Sequence, residues 1–315
     1  AYEISSCDWS SDVCSSDLSA AFFSAVYLNT PGVIYVATLL ALTGVQLHYI
    51  ILAPFVAAYT SRIKNKDIDW YTRAYYMGYV GYFLTTYLGG LFTVKMFSLH
   101  AGLSYTAAKG MTAYIADVSP ALKAAYIQGN KDVLLMTGVL SALCIPAMLL
   151  IREEKADYAS ARQEKRKSLR ERVHDLAAVL LCKDALLYLL YWAIVSFAMG
   201  LFTSYYTVFL NRNLHIDKAT SSLLVSISYM AIVVFMLFTP MVVKKMGPVG
   251  TICASMLLSI PFMLLIANGD AFGRAMVPVV GVALFMRAGL ANLSSPADSA
   301  LCMYIAPKPL RPAYT

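Results

Sequence analysis

Charge is scarce in this chain. Its 18 Asp and Glu and 25 Lys and Arg amount to 14% of 315 residues, where a soluble domain carries about a quarter. Beside 59% hydrophobic residues, that shortage excludes an ordinary soluble domain and points to an all-α, polytopic membrane protein. Histidine is scarcer still. His48, His100, His174 and His215 are scattered, with no HExxH-like pairing. No buried carboxylate pair and no nucleotide-binding loop accompany them, so enzyme chemistry finds no support and no cofactor or metal is expected. Cys144, Cys182, Cys253 and Cys302 lie in or beside apolar segments without metal-ligand spacing or a disulfide framework, so packing is their expected role. The net charge is +7, but the basic residues fall between apolar blocks rather than on one patch. Membrane topology accounts for them better than nucleic acid, which is not expected as a partner.

The remaining cysteines, Cys7 and Cys14, stand in an unusual head, "SSCDWSSDVCSSDLSAAFFSAVYL". Four readings compete: a polar flexible head, lipid attachment at Cys7, a Cys7–Cys14 redox pair, or a translated artefact. Lipid attachment lacks the apolar signal run it requires, and nothing nearby supports a redox pair. "DWSSDVCSSDL" matches the translation of a common sequencing-library adapter, so residues 1–18 are expected to be non-native and are set aside from fold reasoning.

A hydrocarbon core of about 30 Å takes roughly 20 apolar residues at about 1.5 Å each. On that scale the expected spans are 32–58, 75–96, 132–151, 184–210, 220–243, 249–268 and 275–303, preceded by a short stump at 19–28 and an Asn29-Thr30-Pro31 turn. Lys and Arg set the orientation. Arg62, Lys64, Lys66, Arg73, Lys244, Lys245, Lys308 and Arg311 fall on one side, together with "REEKADYASARQEKRKSLRER". The 97–131 connection, "NRNLHIDKATS" and "NGDAFGR" fall on the other and are poorer in basic residues. The first side is therefore expected to be cytoplasmic, in a multi-pass protein of the cytoplasmic membrane. The expected organisation is a remainder of one helix bundle at 19–151, a helical cytoplasmic connector at 152–183 and a partial second bundle at 184–315. The 97–131 connection is long and weakly amphipathic, which predicts short helices lying at the outer surface.

Three motifs carry a family resemblance. "GYVGYFLTTYLGG", with Gly78, Gly81, Gly89 and Gly90, resembles the glycine-rich fifth helix of the major facilitator superfamily, where small residues let helices approach closely. It lacks the Gly-Pro pair of the antiporter signature. "TPMVVKKMGPVG", with Lys244, Lys245 and Gly247, resembles the family's short basic loop between the eighth and ninth helices, without its acidic residue. "LFMRAGLANLSSP", with Arg287 and Asn292, resembles the tenth helix of many members. The order of spans around a long basic loop resembles the same family. The resemblance implies a chain running from the end of the third helix to the tenth, an incomplete two-bundle fold. It further implies secondary active transport by alternating access, with the first, fourth, seventh and tenth helices bordering a central cavity.

Polar residues inside the apolar spans are the candidate site. Arg287 sits near mid-membrane, where a charge costs about 2.5–3.5 kcal/mol on insertion scales. Arg287, Ala291, Ser294 or Ser295, and Asp298 share one helix face. That face either lines the solute pathway or holds helices together through an ion pair or carbonyl contact. Asp298 is about 16 Å from Arg287 along the axis, too far for direct pairing. Tyr35, Thr38, Gln46 and Tyr49 share a face of the first span, and Trp192, Ser196, Thr203 and Tyr206 one of the fourth. His48, off the first of these faces, is read as a packing residue or a proton carrier, and the aromatic stripes as packing or as ligand contacts. The pathway candidates are thus Gln46, Tyr49, Ser196, Thr203, Tyr206, Arg287, Asn292 and Ser294. A positive pathway residue with few membrane carboxylates leans towards an anionic or polar organic solute, with a proton or sodium as coupling ion and the lipid bilayer as surroundings. The competing reading is a seven-helix membrane receptor or sensor.

Overall fold

The computed structural model describes residues 23–24, 26–28, 30–40, 43, 67–149, 177, 182–203, 205–298 and 301. Every regular element among them is helical. The first is α1, Pro31–Leu40. Then come α2, Asp67–Ala101; α3, Tyr105–Thr112; α4, Pro120–Leu149; α5, Lys183–Thr203; and α6, Tyr206–Arg212. After these follow α7, Lys218–Met236; α8, Thr239–Ala267; a 3-10 segment, Gly269–Ala275; and α9, Met276–Leu293. Among the described residues, four stretches are long and apolar enough to cross a membrane: Lys183–Arg212, Lys218–Met236, Thr239–Ala267 and Gly269–Asp298. An all-helical chain is what a bilayer demands, because backbone N–H and C=O groups must be satisfied within the segment that spans it.

Contacts gather the chain into two units. One comprises Ala1–Met77, Lys95–Tyr105 and Ser119–Lys165; the other comprises Gly78–Val94, Thr106–Val118 and Arg166–Thr315. Residues 78–94 and 106–118, which precede the expected connector, thus belong with the later helices. The connector expected at 152–183 lies almost wholly outside the described residues.

In the first unit, α2 closes on Gly102 at φ +64°, a left-handed position that glycine adopts without a Cβ penalty. The N–H of Leu103 reaches the Ser98 carbonyl at 3.0 Å and that of Gly102 the Leu99 carbonyl at 3.4 Å, the paired bonds of a Schellman cap. Beyond it, α4 packs back on α2. Gly129 meets the backbone of Met96 and Phe97 so closely that a Cβ would lie 2.8 Å from the Phe97 nitrogen. Phe97 stands edge-on to Tyr126, and His100 Nε2 pairs with Asp132 Oδ2 at 2.5 Å.

Here the expectation for 97–131 is corrected. About half of that stretch, 97–101 and 120–131, is the end of α2 and the start of α4 rather than separate short helices. At about 1.5 Å per residue these two helices are about 52 and 45 Å long, well beyond the hydrocarbon core. Only α3 is separate, and its Ala108 and Thr112 are fully buried rather than free at a surface.

In the second unit, α7 starts at Asp217, whose carboxylate accepts from the Thr220 N–H at 2.9 Å and its hydroxyl at 2.7 Å. A core of Leu210, Leu214, Val225, Ile266, Val280 and Leu284 joins α6, α7, the end of α8 and α9. Gly269 lets the chain pass within van der Waals reach of Leu214 and Val280. Small polar residues pack here as though apolar. Ser226, Ser255 and Ser259 donate to carbonyls three residues back in their own helices, and Thr251 to the Gly247 carbonyl four back, so these four hydroxyls are satisfied.

The spans expected at 220–243 and 249–268 are shifted. The first helix stops at Met236, and a new helical turn begins at Thr239 and bends at Gly247, φ +73° and ψ 169°. Glycine takes that conformation freely and Pro248 then starts the next helix, where its missing N–H costs nothing. The basic loop has shrunk to this bend, with Lys244 and Lys245 on the turns before it. Thr239 donates to the carbonyl of Leu293 at 2.5 Å, satisfying one of the last carbonyls of α9.

Candidate functional site

The face expected along α9 and its continuation is real and buried. Arg287 is 8% exposed, Ala291 9%, Ser294 2% and Asp298 7%. It packs on the stretch formed by α5 and α6, and polar contacts at two points mark the seam. The Arg287 guanidinium carbon lies 5.4 Å from the centroid of the Tyr206 ring, within range of a cation–π interaction. Its Nη2 donates to the sulfur of Met199 at 3.4 Å. Farther along, the hydroxyl of Tyr188 shares its proton between Asp298 Oδ1 at 2.8 Å and the Asp298 carbonyl at 3.0 Å.

The residue types explain why the seam is tolerated. An aromatic face and a polarizable thioether meet a guanidinium more favourably than hydrocarbon does, and its planar charge is weakly hydrated to begin with. A carboxylate out of water requires a donor, which Tyr188 supplies. Chemically, the Arg287 end offers a cationic fork with an aromatic wall, suited to a carboxylate or phosphate group.

Among the expected site residues, the structure brings Arg287 and Tyr206 together. Ser294, the C-cap of α9, is buried on the same side as Arg287. Asn292 is half-buried, and its Nδ2 donates to the carbonyl of Ala288 at 2.9 Å, back along its own helix. Ser196 and Trp192 are exposed whereas Tyr206 is buried, so this stripe does not continue as one environment from α5 into α6. Thr203 is the last residue of α5, and its side chain lies outside what is described. Gln46, Tyr49 and His48 lie outside the described residues; Tyr35 and Thr38 are exposed on α1. Cys253, expected to pack, is exposed.

Sequence reasoning missed Tyr188 and Met199. A signal was present: they are eleven residues apart, as are Arg287 and Asp298, and eleven residues are close to three helical turns. Two antiparallel helices with matched spacing can meet at both points.

Fold and site together define an all-α, multi-pass integral membrane protein of major-facilitator type, with a buried cation in an apolar helix. The family model of the Major Facilitator Superfamily matches residues 125–315, and the chain belongs to that family. It is therefore a membrane transporter of a family whose members bind small solutes within the membrane, a finding that does not favour the receptor reading. No curated protein and no solved structure matches it.

Proposed function

We propose that this protein is a secondary active transporter of a small organic anion across the cytoplasmic membrane, working by alternating access. In that cycle two helical bundles rock around a site near the bilayer midplane. The observation that carries the reading is Arg287, held within an apolar helix against the Tyr206 ring. A guanidinium at that depth costs several kcal/mol and is kept where something compensates it. The Tyr206 ring offsets part of the cost, and a solute carboxylate or phosphate offsets more through a bidentate pair. Asn292 on α9 and Ser294 at its C-cap supply neutral hydrogen-bonding groups beside Arg287, and Ser196 and Thr203 on α5 are further pathway candidates. Gln46 and Tyr49 complete the proposed pathway from the first expected span.

The Lys and Arg asymmetry orients the protein, with 152–183 inside and the α2–α4 connection outside. Transport is coupled to a proton or sodium gradient. The experiment is uptake of radiolabelled carboxylates and organic phosphates into cells expressing the full-length gene product. A saturable uptake that a protonophore or sodium removal abolishes supports the reading. Uptake confined to cations or neutral solutes would overturn the anion class.

A further inference from the structure

α3 and the turns after it make a set of polar contacts to which the transport reading gives no role. Residues 106–118 are clasped onto the α6–α7 connection. Asn211 on α6, buried, donates through Nδ2 to the carbonyls of both Thr112 (2.8 Å) and Ile216 (2.9 Å). The Thr112 hydroxyl accepts from the Lys218 N–H at 2.9 Å and donates to the Lys109 carbonyl at 2.7 Å. One of the orphan N–H groups at the start of α7 is thus capped from a distant part of the chain. Lys109 Nζ stands 3.8 Å from Asp217 Oδ2, the carboxylate that caps α7 from within. Finally, the His215 ring stacks on Tyr114, with centroids 5.0 Å apart, and its Nδ1 reaches the Ala113 carbonyl at 3.4 Å.

Two further features set this clasp apart. His215 sits at φ +51°, the one non-glycine residue in left-handed backbone among those described. Such a conformation persists only where its surroundings hold it, and here Tyr114 and Ala113 do so. The clasp is also joined to the candidate site by α6, a helix of seven residues. Tyr206, under Arg287, begins it, and Asn211 lies five residues on, about 7.5 Å along the axis. A rigid helix of that length transmits a shift at one end to the other.

We infer that residues 106–118 form an outer latch, closed as seen here, which α6 links to the Arg287 site and which opens and closes in each transport cycle. When a solute anion draws Arg287 off the Tyr206 ring, α6 is released and Asn211 lets go of Thr112. The polar groups so exposed meet water at the outer face rather than lipid, so opening strands none of them. The role assigned to the latch rests on the transport reading above.

The test uses the full-length protein with native cysteines replaced by serine. Ala108, fully buried, becomes Ala108→Cys as a reporter labelled from outside by an impermeant maleimide. Tyr114→Cys with His215→Cys is bridged by a short bis-thiosulfonate, and the control carries a monofunctional cap on both thiols. Lys109→Cys with Asp217→Cys is the second pair, for use where the first lowers membrane abundance. The bridge is expected to slow labelling of Ala108→Cys about tenfold and to stop uptake of the carboxylate and phosphate panel, both reversed by reductant. Equal labelling with and without the bridge overturns the latch, as does slowed labelling with uptake unchanged. Labelling slowed by the bridge but not by the caps, in a protein whose capped control takes up no panel solute, supports an opening clasp and counts against the anion-transport reading instead.

Discussion

Tyr188 and Asp298, 110 positions apart in the chain, share one hydroxyl proton: the tyrosine donates to both the carboxylate and the carbonyl of the aspartate. Both residues are buried. Tyr188→Phe keeps the ring and removes the donor, leaving the carboxylate desolvated with less compensation. A loss of about 1–3 kcal/mol follows from an unmet buried acceptor, read as a lowered Tm of the detergent-solubilised protein. Asp298→Asn retains an acceptor and should cost less. An unchanged Tm in Tyr188→Phe would show that this contact does not hold the seam.

A second prediction concerns Gly90 on α2. A Cβ there would collide with the Cβ and Oγ of Ser222 on α7, whereas one on Gly89 meets nothing within 4 Å. Gly90→Ala should lower stability by about 1–3 kcal/mol, because two helices must move apart. Gly89→Ala should be neutral or slightly stabilising, since it only removes backbone freedom. Adding Ser222→Gly to Gly90→Ala should recover part of the loss. Equal behaviour of the two alanine variants in thermal unfolding would contradict the close approach.

Topology can be checked directly. Single cysteines at Ser104, between α2 and α3, and at Ser160, in the basic connector, should label oppositely with an impermeant thiol reagent in intact cells. Ser104→Cys should react from outside and Ser160→Cys only after permeabilisation. External labelling of Ser160→Cys would invert the orientation drawn from the basic residues.

Composition and charge placement made the class of the fold legible, because the bilayer leaves helices as the route for apolar spans of this length. Helix boundaries were less legible. Gly247 and Pro248 were visible, yet the single-residue bend depends on a backbone conformation that hydropathy does not encode. The four glycines of α2 looked alike in sequence, but only Gly90 has a neighbour that needs the space. In the site, the helical period correctly placed Arg287, Ala291, Ser294 and Asp298 on one face. Their partners were harder to find, since Tyr188 and Met199 are about a hundred residues away and a matched eleven-residue spacing does not by itself pair two helices. The clasp was the least legible feature. It is made of backbone carbonyls and short polar side chains whose pairing appears only once the chain is folded.

The central claim is that Arg287 meets the solute, and one paired measurement tests it: membrane abundance and anion uptake for Arg287→Lys and Arg287→Ala in the full-length protein. Lysine keeps the charge but loses the bidentate fork and the stacking plane over Tyr206. With a solute contact, uptake falls about tenfold or more in Arg287→Lys and vanishes in Arg287→Ala, while abundance of both holds. Abundance and uptake falling in parallel would show instead that Arg287 holds helices together, and would contradict the account.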